Sequence, residues 1–130
     1  MSYSVLVVDD SAIVRAMVKK AITMAGLDVK ELHEAANGRE ALEKLGAHWI
    51  DIVFADLNMP EMGGVELVEK MSQDATLTSI PVVIVSSEHS QARIDELKQR
   101  GIRAYIKKPF RPEGFRGIVE GLLGEEKTRG

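Results

Sequence analysis

Five short apolar runs, each followed by a stretch whose apolar residues recur every three or four positions, leave this 130-residue chain very few ways to fold. The runs cover 4–8, 29–35, 52–55, 81–85 and 103–106, and the helical stretches 12–25, 37–47, 64–72, 90–100 and the segment from Pro112 past Leu122. Runs as short and branched as Ile52-Val53-Phe54-Ala55 and Val82-Val83-Ile84-Val85 suit strands buried on both faces, which a parallel sheet covered by helices provides. Strict strand and helix alternation, without repeats or an internal linker, predicts an α/β fold: a five-stranded doubly wound parallel sheet with helices on both faces.

The punctuation supports these boundaries. Gly26 and Gly101 stop the first and fourth helices, Asn37 with Glu40 resembles a capping box, and Ser90 and Pro112 suit helix starts. Helix one carries Ile13, Val14, Met17, Val18, Ala21, Ile22 and Met24 at helical spacing. The second run is polar enough for a place near the sheet edge. Helix four has a thin stripe, mainly Ala92, Ile94 and Leu97, and is expected to be the least firmly held. One domain over residues 1–123 with a frayed tail over 124–130 is the expected organisation.

Composition narrows the function classes. Lys and Arg number 17 against 20 Asp and Glu, a net charge of −3, and the signs are interleaved, so no nucleic-acid surface is expected. Without cysteine there is no disulfide framework, thiol catalysis or Cys-based metal site. Neither a signal peptide nor an apolar run of ~20 residues is present, so a cytoplasmic protein without membrane insertion is expected.

The C-terminal ends of the strands are where ligands gather in such sheets, and here they hold Asp9 and Asp10, Asp56, Ser86 and Lys108. Three carboxylates brought together repel unless a cation joins them. With no His or Cys nearby in sequence, Mg²⁺ is the matching ion. Capping of the first helix is the plainer role for Asp9 and Asp10, and a turn cap for Asp56. The acid pair would repel a bound phosphate in the loop where flavin and nucleotide binders place glycines, which disfavours a redox protein. A carboxylate can instead attack phosphorus, with Lys108 as a point charge and Ser86 as a hydroxyl donor to the transferred group. Phosphoryl acceptance on Asp56 is the reading these residues support.

Taken together, Asp9-Asp10, the segment Asp56-Leu57-Asn58-Met59-Pro60 with Gly64, Ser86, and Tyr105 with Lys108-Pro109 resemble the receiver domain of bacterial response regulators, over about residues 5–123. Since only a few residues follow, the resemblance is to the stand-alone, CheY-like type, which has a flavodoxin-like fold. It implies Mg²⁺ held directly by Asp10, Asp56 and the main-chain carbonyl of Asn58, with Asp9 acting mostly through water, and a cis Lys108-Pro109 peptide. It also implies a switch formed by Ser86 and Tyr105, site-flanking positions at Asn58 and Glu88, and a readout face on helix four, strand five and helix five. The implied partners are a sensor histidine kinase or phosphotransfer protein and a downstream protein target, with a monomer or a phosphorylation-dependent dimer as the assembly.

Two rivals stay open on the residues alone. One is a receiver-like binding module that works without phosphorylation. The other is an aspartate-nucleophile phosphatase, against which Asn58 stands where that chemistry needs a second acid. His33, His48 and His89 lie in separate segments without a ligand pattern, and Trp49 and most of the methionines are expected to be packing residues.

Overall fold

In the computed structural model, which describes residues 2–87 and 90–124, the strands are β1 Tyr3–Val8, β2 Val29–Ala35, β3 Ile52–Ala55, β4 Val82–Ser86 and β5 Ala104–Lys107. The helices are α1 Ala12–Met24, α2 Gly38–Ala47, α3 Gly64–Ser72, α4 Gln91–Gln99 and α5 Pro112–Val119, the last continuing as a π-helical segment over Glu120–Gly124. All strands pair in parallel in the order β2-β1-β3-β4-β5, the doubly wound sheet expected. Helix five runs further than expected, through Gly124, and the remainder of the expected tail lies outside the described residues.

Period-two alternation divides each strand between two cores. Leu6, Val8, Val53, Ala55, Val82 and Ile84 face α2, α3 and α4, and Val5, Val7, Ile52, Phe54, Val83 and Val85 face α1 and α5. On the second face Phe115 lies 5.2 Å from Phe54 and 5.1 Å, edge-on, from Phe110, a geometry aromatic pairs favour.

Helix starts follow the cap chemistry. Ser11 Oγ accepts from the Val14 N–H, Ser90 Oγ from the Arg93 N–H and Asn37 Oδ1 from the Glu40 N–H. Glu40 returns the bond one residue early, accepting from the Ala36 N–H at 3.1 Å. In α4 only Ile94 and Leu97 are buried, while Ala92 is exposed.

Three expectations about side chains are corrected. Ile13 (75% exposed), Met17 and Met24 point away from the core because α1 buries only Val18, Ala21 and Ile22. Trp49 is 79% exposed, outside the body of the domain, with its Nε1–H donating to Asp51 Oδ1 at 3.0 Å, so it is not a packing residue. His33 and His48 do lie in separate segments, but the fold brings their rings together, stacked with centroids 4.0 Å apart and beside Glu31.

Gly117 lies inside α5 with open space where a Cβ would stand. Gly117→Ala removes backbone freedom from the unfolded chain at no steric cost, so a gain of about 0.5–1 kcal/mol is expected in urea denaturation.

Candidate functional site

Strand order reverses between β1 and β3, so the chain leaves their C-terminal ends toward opposite faces and opens a crevice there. Asp9 and Asp10 follow β1 directly, and Asp56 follows β3. The Asp56 N–H donates to the Val8 carbonyl at 3.0 Å, carrying the parallel ladder one residue past the strand and fixing Asp56 beside the acid pair. Each of Asp9, Asp10 and Asp56 offers a carboxylate oxygen within 4.8 Å of the other two.

Asp9 is 4% exposed, Asp10 is exposed and Asp56 is half-buried. The local role weighed for Asp9 is present in part: Oδ1 accepts from the Ser11 N–H at 2.9 Å, while Oδ2 lies 3.7 Å from Lys108 Nζ. Lys108 Nζ is also 3.9 Å from Asp56 Oδ1. The lysine arrives through the β4–β5 ladder, in which Ser86 pairs with Lys107 and the Lys108 N–H donates to the Ser86 carbonyl at 2.9 Å. Ser86, buried, ends β4 on the strand next to β3, and the Lys108-Pro109 peptide is cis.

Tyr105, half-buried on β5, packs against the core beneath α2, α3 and α4. Asn58 is exposed in the β3–α3 loop, and Glu88 lies outside the described residues.

Burial is the main influence that raises the Asp56 carboxyl above its usual range; Lys108 opposes it, Asp9 adds to it, the Leu57 N–H opposes it and Asp10 adds to it. The folded chain therefore holds the Asp56 proton more tightly than the unfolded chain does. That contribution is complete below about pH 4 and is lost as the pH rises through the folded-state value. At neutral pH without metal, ionised Asp56 is a net cost to the fold. Unit charges within 4.8 Å repel by a few kcal/mol even at an effective dielectric of about 20, and Lys108 offsets only part. In chelator at pH 7, Asp56→Asn is expected to melt roughly 3–8 °C above the wild type. Calorimetry should show that margin closing as the pH falls through the folded-state value and closed below about pH 4, and Mg²⁺ should raise the midpoint of the wild type far more than that of the variant.

The donor set passes a chemical test for a hard cation. Asp9, Asp10 and Asp56 supply only oxygen, and their mutual repulsion is relieved by a divalent ion.

Three features of the site carry no signal in the sequence reading. Arg15 on α1 donates to the Asp9 carbonyl at 2.6 Å and to Glu34 Oε1 at 2.9 Å, fixing the main chain of the first acid. The loop after Asp56 is strapped to the start of α2. Gly38 N–H donates to the Met62 carbonyl, and Glu61 Oε2 accepts from Arg39 Nε at 3.0 Å and Asn37 Nδ2 at 3.4 Å. Glu61 itself has a φ of 66°, and Met62 N–H bonds back to the Pro60 carbonyl, a strained γ-turn held by its neighbours. Each depends on pairing between segments far apart in the chain.

The profile of the response regulator receiver domain family matches residues 5–120. The chain belongs to that family. The receiver is 37% identical over 120 residues to the chemotaxis protein CheY1 of Helicobacter pylori, which covers 92% of this chain and 95% of that protein. It is 38% identical over 122 residues to the chemotaxis protein CheY of Thermotoga maritima, at 94% and 96% coverage. Among solved structures, the chemotaxis protein CheY4 of Vibrio cholerae superposes with a TM-score of 0.82 at 33% identity, over 95% of this chain and 100% of that one. The receiver is thus a CheY-type signalling domain of two-component systems, and no helix among its described residues is long and apolar enough to cross a membrane.

Proposed function

We propose that this receiver accepts a phosphoryl group on Asp56 from a histidine-phosphorylated donor, a sensor kinase or phosphotransfer protein. The observation that carries the reading is Lys108 Nζ standing 3.7 Å from Asp9 and 3.9 Å from Asp56, a fixed cation beside a carboxylate that already neighbours two others. Asp56 is the nucleophile; its oxygen forms the bond to phosphorus as the donor's P–N bond breaks and the imidazole leaves. Lys108 meets the charge of the transferred group and Ser86, at the end of the adjacent strand, donates its hydroxyl to it. Asp9, Asp10, Asp56 and the Asn58 carbonyl are the residues that would hold Mg²⁺, which supplies charge neutralisation for the carboxylates and the phosphoryl oxygens.

Ser86 and Tyr105 form the switch in this reading, and α4, β5 and α5 the face that a downstream protein reads. Two buried side chains are a light anchor for α4, which supports a movable element on that face. Asn58, in the loop after β3, and Glu88, which lies outside the described residues, are in this reading the positions that tune how quickly the acyl phosphate hydrolyses. The names of the relatives support chemotaxis as the output, and the cytoplasm is the setting in this reading. Residues 1–123 act as one receiver domain.

Intact-protein mass spectrometry after incubation with acetyl phosphate tests the proposal. One Mg²⁺-dependent phosphoryl adduct is expected on the wild type and none on Asp56→Asn. An adduct of equal yield on the variant, or none on the wild type, would overturn it.

A further inference from the structure

Glu31 and His33 stand two residues apart on β2, so both side chains project from the same face of an edge strand. That face is covered by α2, whose C-terminal cap is His48, and the helix end lays the His48 ring over that of His33. Glu31, His33 and His48 each place a ligand-type atom within 4.8 Å of the other two. We propose that these three side chains form a second cation site, for a divalent transition ion of the zinc class, distinct in place and chemistry from the acid cluster.

The donor chemistry decides the class of ion. Two imidazole nitrogens and one carboxylate favour Zn²⁺ over Mg²⁺, which prefers oxygen, and three protein ligands leave a fourth position for water. The spacing also fits. Ligands about 2.1 Å from a tetrahedral ion sit about 3.4 Å from one another, and His33 Nε2 is already 3.0 Å from Glu31 Oε1. His48 is exposed and must close at most about 1.4 Å, by turning its ring off the stack. The hydrogen bond from His33 is the main influence holding the Glu31 carboxyl below its usual range, against a smaller opposing effect of desolvation. Glu31 is thus an ionised ligand, and zinc takes the place of the His33 Nε2 proton, which leaves to solvent on binding.

A metal bound there ties the C-terminal end of α2 to the outermost strand, and its binding free energy adds to the stability of that corner. No phosphoryl chemistry is involved, so the site acts on the scaffold and not on Asp56.

Isothermal titration with ZnCl₂ in excess MgCl₂, which keeps the acid cluster saturated, tests the assignment on the wild type, His48→Ala and Glu31→Gln. One zinc per wild-type chain is expected, with a midpoint of thermal unfolding that rises on zinc addition. Affinity should fall at least about tenfold in each variant, since even residues behind metal ligands are worth that much. His48→Ala is the decisive variant because an exposed ring leaves the fold intact when removed. Zinc binding of equal strength in His48→Ala, or no binding by the wild type, would overturn the site.

Discussion

Lys108→Ala is expected to form the Asp56 phosphoryl adduct about 10²-fold more slowly than the wild type at the same acetyl phosphate and Mg²⁺, the usual loss when one preorganised charge donor is removed from a transfer site. The ammonium group faces Asp9 and Asp56 at 3.7 and 3.9 Å and is the one basic group bonded to either carboxylate among the described residues. Its removal has a second effect of opposite sign. Without the fixed cation the three acids repel more strongly, so Mg²⁺ should bind more tightly to the variant while the metal-free form melts at a lower temperature. A folding defect would weaken both labelling and Mg²⁺ binding. Labelling at the wild-type rate would remove Lys108 from the transfer site.

Gly64→Val is expected to lower stability by about 1–3 kcal/mol, read as a shift of the urea midpoint, and to impair labelling of the fraction that stays folded. A Cβ on Gly64 would stand 2.6 Å from the Asp56 carbonyl and 2.7 Å from Ile84 Cδ1. The isoleucine end can give way, but the carbonyl cannot, because the Asp56 main chain is bonded to β1. Either the first turn of α3 lifts away, breaking the Gly64 N–H bond to the Leu57 carbonyl, or the strand end shifts and takes Asp56 with it. The contrast with the open surroundings of Gly117 makes the pair a test of location and not of glycine content.

The fold was legible because parallel strands here are buried on both faces and the helices between them are amphipathic, so period alone separates the two. Asp9, Asp10, Asp56, Ser86 and Lys108 were legible because each follows an apolar run at the sheet edge where such groups gather. Arg15 and Glu61 were not, since their partners, Asp9 and Arg39, are set by register and by a loop with positive φ that no local pattern announces. The same limit hid the meeting of His33 with His48: strand periodicity joins His33 to Glu31, but only the path of α2 across the sheet brings His48 to them. Apolar identity misled at Ile13 and Met17, because spacing tells which residues share a helix face and not where the face ends, and at Trp49, which lies in the connection between α2 and β3.

The strand order β2-β1-β3-β4-β5 also bears on when this domain becomes competent during synthesis. Its three acids are complete by residue 56, yet the lysine that balances them is residue 108 and enters the sheet on the last strand. Each parallel pairing waits on a crossover helix, so the sheet is dominated by contacts between distant segments and assembles late. A nascent chain that has emerged only as far as α3 holds all three acids but neither Lys108 nor the hydroxyl of Ser86. On the proposed function, reactivity toward a phosphoryl donor is thereby reserved for the finished domain.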